Sequence, residues 1–332
     1  MIFQPAIIAL LLASGLGVAM LLAAAPFALQ VIRRWDIASG SELQLQLERR
    51  TYLFSTLLSF VFAIQLVALL LFIFNADKMA VMFVGAMCAV GTLNANAWGF
   101  PALIAQMAVF FLAAMWLAIN HVDVRAPDYP LVRIKYGLLV ALLPVLAAAF
   151  AFQLAYFLGL KADVITSCCG SLFSGETKGL SGDLSALPPG PALAGFYAAL
   201  ACAVAAAGYC ARRQRGGYLV ALASAAAFAA AIAGILSFLS LYLYEHPHHH
   251  CPFCILKPEY DRQGYWLYIP IFAATAAGLG VGAIQPFRRV ASLAGIVPAV
   301  SARLAAVAVG GFLLFAAIAS VMIWRSNLIL LE

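Results

Sequence analysis

Residues 1–34, MIFQPAIIALLLASGLGVAMLLAAAPFALQVIRR, decide the fold class. The apolar run at about 6–32 is longer than the ~20 residues that a helix needs to cross a ~30 Å hydrocarbon core. Backbone polar groups in lipid must be paired within the segment, so the run must be helical. No basic residue precedes it, and it is too long for the apolar part of a signal peptide. We therefore expect a retained transmembrane helix.

Seven similar runs follow, at about 52–75, 100–120, 134–160, 192–210, 218–244, 265–285 and 304–324. The chain of 332 residues is 65% apolar and only 10% charged, and its mean hydropathy is +1.01. In soluble domains about a quarter of the residues are charged. The sequence therefore predicts an all-α polytopic membrane protein, with eight transmembrane helices in one integral membrane domain that spans residues 1–332.

The apolar stretch 79–91 is too short to span a bilayer. A run of this length is typical of a re-entrant or interfacial helix. Non-helical backbone at membrane depth is tolerated only against protein or a water-filled cavity, so the stretch is either a wall packed between helices or a hairpin at the membrane surface. The GLGVG motif at 278–282 lies in an apolar run and predicts a close contact between helices.

Basic residues are concentrated in alternate connections, which fixes a predicted orientation. Thirteen of the 19 are Arg33, Arg34, Arg49, Arg50, Arg125, Arg133, Lys135, Arg212, Arg213, Arg215, Arg288, Arg289 and Arg303. The positive-inside rule makes these connections cytoplasmic. We expect a multi-pass protein of a bacterial inner membrane, with both termini outside. The net charge of +6 arises mostly from this asymmetry, so we expect contact with membrane lipid and none with nucleic acid.

The same orientation places the soft side chains on one face. The predicted outer loops 76–99, 161–191 and 245–264 form a cap that is rich in cysteine and histidine. They contain Cys88, the adjacent pair Cys168 and Cys169, Cys251 and Cys254, and the histidines His246, His248, His249 and His250. Cys202 and Cys210 lie in the fifth predicted helix, where small residues usually mark helix packing. The sequence therefore predicts one outward-facing site.

The stretch HPHHHCPFC, residues 246–254, is typical of a soft-metal site. Two thiolates at this spacing can reach one ion, and thiolate with imidazole suits Cu⁺ or Zn²⁺. The expected core ligands are Cys251 and Cys254, with nitrogen ligands from the histidine run. Cys88, Cys168 and Cys169 are candidates for a second or transfer site. Such a protein would deliver, sense or pass the ion to a partner.

Haem binding has less support in the sequence. Covalent c-type haem attachment requires CxxCH, whereas Ile255 follows Cys254, so no covalent haem is expected. No two histidines face each other across two predicted transmembrane helices, which leaves non-covalent haem as a minor alternative.

Thiol–disulfide exchange is the second hypothesis, because CxxC is a redox spacing and extracytoplasmic cysteines tend to oxidise. CPFCIL in one outer loop, with a cysteine pair in another, resembles membrane disulfide-generating proteins of the disulfide-bond protein B and vitamin K epoxide reductase type. The resemblance implies that Cys168 and Cys169 pass electrons to Cys251 and Cys254, and these to a quinone. This chain has eight predicted spans rather than four or five, and its loop cysteines are adjacent.

A third hypothesis assigns the cysteines no chemistry. One disulfide between outer loops would stabilise the fold by ~2–4 kcal/mol in a structural subunit of a larger membrane complex. Membrane or periplasmic partner proteins are expected in each case. Distances test the shared site: the single-site prediction fails if Cys88 and the pair Cys168 and Cys169 lie more than about 15 Å from Cys251, because thiolate ligands sit near 2.3 Å from a shared ion.

Overall fold

The computed structural model describes residues 3–161, 165–166, 184 and 187–330, and within these residues the chain is almost entirely helical. The α-helices are α1 (Pro5–Arg34), α2 (Glu42–Lys78), α3 (Ala89–Leu93), α4 (Gly99–Asp123), α5 (Val132–Leu158), α6 (Pro189–Arg213), α7 (Gly217–Gly234), α8 (Ser240–Tyr244), α9 (Gln263–Ile284) and α10 (Ile296–Arg325). A π-helical turn, Ile235–Leu239, joins α7 to α8. In the described ranges the β-pairing is one isolated bridge, between Val84 and Ile165.

Eight helices of the described chain are long and apolar enough to cross a membrane, which confirms the predicted fold class. One of them runs unbroken from Gly217 through the π-turn to Tyr244. The largest difference in boundaries is at α2, which begins at Glu42 rather than near residue 52. The Ser41 hydroxyl accepts a hydrogen bond from the Gln44 backbone N–H, as a helix N-cap does, so the helix continues beyond its apolar part.

The stretch 79–91 forms two short helical turns rather than one helix. Met79–Met82 is a 3₁₀ turn, and α3 begins only at Ala89. Between them Gly85 has φ +86°, a conformation that favours glycine, and the Thr166 N–H donates to the Val84 carbonyl at 2.9 Å. The backbone bridge from Val84 to Thr166 therefore lies between the two turns, where the segment is not helical.

The chain divides into two compact units, each with four long helices. The first comprises Met1–Asn75, Asn96–Lys161 and Ala283–Val300, and its core contains Phe62, Trp116 and Tyr136.

The second unit comprises Ala76–Ala95, Ala162–Gly282 and Ser301–Glu332. Here α9 packs closely on α7: a Cβ at Gly278 would lie 2.0 Å from Ser224 Oγ, and one at Gly282 would lie 2.5 Å from Ala221 Cβ. The helix contact predicted from GLGVG is confirmed.

A buried ion pair joins α4 and α5 in the first unit. Lys135, which the charge pattern assigned to a cytoplasmic connection, lies inside α5 with no exposed side-chain surface. Its Nζ is 2.7 Å from Asp123 Oδ2 and donates to Asn120 Oδ1 at 3.1 Å. The Leu131 N–H donates to the other Asp123 oxygen at 2.8 Å. Each charge therefore has a partner where water does not reach it.

Lys135→Met should lower the free energy of unfolding by about 3 kcal/mol, because it leaves the Asp123 carboxylate buried without its counter-ion. Lys135→Met combined with Asp123→Asn should recover most of the loss, since the asparagine is neutral and still accepts from Leu131. Unfolding in mixed micelles measures both, with the exposed Lys161→Met as control. Equal losses in the single and double variants would contradict a charge-pair origin.

Candidate functional site

Three cysteines from two distant segments of the second unit converge. The sulfur atoms of Cys88, Cys251 and Cys254 all lie within 4.8 Å of one another, and the three side chains are buried. The Cys88 and Cys251 sulfurs are 3.5 Å apart, although 163 residues separate them in the chain. This distance is much longer than the ~2.05 Å of a disulfide bond. We call these residues the cysteine trio.

The spacing of the trio is that of ligands on one ion. Two thiolates at 2.3 Å from a tetrahedral metal are about 3.8 Å apart, and in a trigonal arrangement they are about 4.0 Å apart. The observed 3.5 Å and the upper limit of 4.8 Å bracket both values. Small movements of the side chains would therefore complete either geometry.

Two tyrosines hold the CPFC loop on its flanking helices. Tyr244, at the end of α8, donates to the Cys251 carbonyl at 2.6 Å. Tyr268, in α9, donates to the Pro252 carbonyl, also at 2.6 Å. Buried backbone carbonyls need such partners, and here each partner comes from a packed helix. These two hydrogen bonds, the tyrosine clamps, fix the backbone at Cys251 and Pro252. A 3₁₀ turn from Cys254 to Leu256 follows directly.

An ion pair connects the two segments that carry the trio. Asp77, at the end of α2, lies 3.3 Å from Lys257 Nζ, three residues beyond Cys254. The same carboxylate accepts from the Ala89 N–H, next to Cys88. Both side chains are largely buried. Asp77 therefore positions Cys88 and the CPFC loop together.

The four clustered histidines do not share one environment. His246 and His248 are exposed, and the His248 N–H donates to His246 Nδ1 at 3.3 Å. The group of ligand atoms within 4.8 Å of one another consists of the three sulfurs, with no described histidine among them. Among the residues that the structure describes, the close cluster therefore consists of the trio.

His249 is the histidine whose surroundings best fit a ligand. Its ring packs on Tyr244 with centroids 4.1 Å apart and a tilt of 30°, and it lies close enough to Cys88 to interact electrostatically. Its Nε2 is buried and has no hydrogen-bond partner among the residues that the structure describes. Partial burial lowers the pKa of His249, which favours the neutral ring, the form that binds metals.

His250 is tied to the π-helical turn. Its Nδ1 is 2.7 Å from the Leu236 carbonyl oxygen, which only accepts, so Nδ1 carries the proton. Burial lowers the pKa of this ring as well. A π-turn is rare and frequently marks a functional site. The bond fixes the tautomer and leaves Nε2 with a lone pair.

Cys168 and Cys169 fall outside the described residues, although Thr166 pairs with Val84, four residues before Cys88. Glu245, which precedes the histidine run, accepts hydrogen bonds from Asn327.

Asp77, Lys257, Tyr244 and Tyr268 were not predicted as site residues, because no local motif marks them. Comparisons do not add an identity: no known family, curated protein or solved structure matches this chain.

Gly85→Ala should expose Cys88. A Cβ at Gly85 would lie 2.2 Å from the Thr166 carbonyl oxygen, and the positive φ costs an L-residue about 1–2 kcal/mol. This cost corresponds to a roughly 5- to 30-fold larger population of the displaced segment. The measurement is the rate of maleimide labelling at Cys88, followed by peptide mass spectrometry. Gly40→Ala, with open space around its Cβ, is the control, and equal rates in the two variants would contradict the prediction.

Proposed function

We propose that this chain binds one soft metal ion through Cys88, Cys251 and Cys254 on the outer face of a bacterial inner membrane, for delivery, sensing or passage to a partner. The observation that supports this most directly is the set of three buried sulfurs within 4.8 Å of one another. A disulfide staple uses two sulfurs and gives no reason for a third. A metal site uses all three.

Cu⁺ is the first choice and Zn²⁺ the second. Cu⁺ is a soft ion that three thiolates satisfy in a trigonal arrangement, and soft sulfur ligands select for it. Zn²⁺ in structural sites takes four ligands, often three cysteines and a histidine. His249, whose buried Nε2 has no partner in the described part of the chain, is the candidate for that fourth position. Cys168 and Cys169 would then serve as a second or transfer site.

The metal also offsets the cost of burying charge. Thiols lose protons when they bind an ion, and unpaired thiolates are costly in an apolar surrounding. The Asp77 carboxylate lies near Cys88 and adds negative charge, which Lys257 partly balances. A cation among the sulfurs supplies the remaining compensation.

Metal titration of the purified protein tests the proposal. With Cu⁺ under reducing conditions we expect one equivalent bound, with thiolate-to-metal absorption in the ultraviolet. Substitution of serine for Cys88, Cys251 or Cys254 should weaken metal binding by about 100-fold or more. Losing a residue that only supports a ligand already costs about 10- to 100-fold, and losing the ligand itself should cost at least as much. Cys202→Ser, an exposed position on α6, is the matched control.

The doubly substituted Cys168→Ser/Cys169→Ser protein separates the two cysteine sets. If the trio is the primary site, this variant still binds the first equivalent with unchanged affinity. If this variant no longer binds the first equivalent, the primary site includes Cys168 and Cys169 and the proposal for the trio is wrong. Zn²⁺ titration of His249→Gln, compared with the exposed His246→Gln, tests the fourth ligand: only the former should weaken Zn²⁺ binding.

Thiol redox exchange is the second candidate function, because the Cys88 and Cys251 sulfurs lie only 3.5 Å apart with Cys254 beside them. A Cys254 thiolate would attack Cys251 in a Cys88–Cys251 disulfide, forming Cys251–Cys254 and releasing the Cys88 thiolate. A substrate dithiol would then reduce the Cys251–Cys254 disulfide and become a disulfide itself, and the two regained thiols would pass two electrons and two protons to a quinone, which becomes a quinol. Protein isolated without metal, with a bound quinone and a disulfide trapped by Cys254→Ser, would replace the metal proposal with this one.

A further inference from the structure

An open groove of about 650 Å³ lies on the second unit, formed by α8, α10, the start of α9 and the connection that carries the CPFC motif. Its volume is within the usual range for small-molecule sites. The cysteine trio does not line it. Its lining includes Glu245, Asp261, Trp266, Leu314, Ala317 and Arg325.

The polarity of the groove changes along its length. On α10 its lining runs from Arg325 at the helix end to Leu314, eleven residues earlier, which is about 16 Å at 1.5 Å per residue. The positions between include Ala317, Ile318 and Val321, all apolar. The charged lining residues lie toward the Arg325 end. Glu245 accepts from Asn327, and Asp261 precedes the start of α9, which runs beside the end of α10 because Gly311 packs on Pro270 and Ala274. One end is therefore charged and the other is hydrocarbon.

Tryptophans place the charged end at the membrane interface. Trp266 lines the groove near the start of α9 and is 67% exposed, and Trp324, beside Arg325, is 85% exposed. Exposed tryptophans in membrane proteins concentrate at the level of the lipid headgroups. From there, 16 Å along α10 extends about half-way through a ~30 Å hydrocarbon core. The groove therefore extends over about the thickness of one lipid leaflet, with its charged end at the headgroups.

The charges at the interfacial end have both signs. Arg325 is a phosphate ligand by chemistry, since guanidinium donates to phosphate oxygens in a fixed fork. Asp261 is a carboxylate that is exposed at the same end. Glu245 is also there, and one of its oxygens accepts from Asn327. A headgroup with a phosphate and a primary amine matches this arrangement, whereas a purely anionic headgroup would meet two carboxylates.

We propose that this groove binds one molecule of an aminophospholipid of the phosphatidylethanolamine type, with its phosphate on Arg325, its ammonium on Asp261 and an acyl chain along α10. The proposal is independent of the metal site, because neither the trio nor its positioning ion pair lines the groove. Depth, apolar lining and paired charges all point to the same ligand.

Native mass spectrometry of the full-length protein in detergent tests it, with dioleoyl phosphatidylethanolamine and dioleoyl phosphatidylglycerol as competing probes. We expect one retained molecule of phosphatidylethanolamine, preferred at least about fivefold over phosphatidylglycerol. Equal retention of the two lipids, retention of neither, or a co-purified quinone displaced by neither lipid would overturn the proposal.

Variants locate the lipid. Ala317→Trp should fill the groove and abolish retention, while Ala306→Trp, also exposed and eleven residues earlier on α10, should not. Asp261→Asn should reduce the preference for phosphatidylethanolamine at least about threefold, while one lipid is still retained. If Ala317→Trp retains the lipid unchanged, the lipid does not bind in this groove. If Asp261→Asn keeps the same preference for phosphatidylethanolamine over phosphatidylglycerol, the assignment of the ammonium to Asp261 is wrong. An unchanged elution volume in size-exclusion chromatography and an unchanged thermal unfolding midpoint show that Ala317→Trp is folded.

Discussion

The cysteine trio depends on the contact between Asp77 and Lys257. Asp77 ends a transmembrane helix, accepts from the backbone beside Cys88 and pairs with a lysine three residues beyond Cys254. Since both charged groups are largely buried, either one alone would be left in an apolar surrounding without compensation. The pair therefore favours the arrangement in which the two segments lie together, and that arrangement is the one that gathers the sulfurs.

The position of the trio also determines its chemistry. Exposed thiols react with any oxidant in solution, whereas buried ones react only with what reaches them. Tyr244 and Tyr268 satisfy the carbonyls at Cys251 and Pro252, so the loop remains in place without a disulfide between the two segments. The sulfurs are thereby available to an ion or to one another. A third sulfur within reach is what favours the ion.

The transmembrane helices were predictable from the sequence because each one buries its own backbone polar groups, so composition and length suffice. For Cys88 and Cys251 the sequence could predict only that they lie on the same side of the membrane, because both follow even-numbered spans. Their distance was not, since it depends on a contact between Asp77 and Lys257 that no local pattern marks. The sequence likewise showed that four histidines are clustered, but not which of them lies near the cysteines. In the structure His246 is exposed, whereas His249 lies close to Cys88.

The connection between α8 and α9 serves two surfaces at once. Cys251 and Cys254 lie on its buried side, while Glu245 and Asp261, near its two ends, line the groove on the other. The hydrogen bonds from Tyr244 and Tyr268 hold the middle of the connection, and α8 and α9 bound its two ends. A lipid at the ends and an ion at the middle would each stabilise the same backbone, because each binds only the folded connection. The two ligands need not touch to favour one another; they need only share this segment.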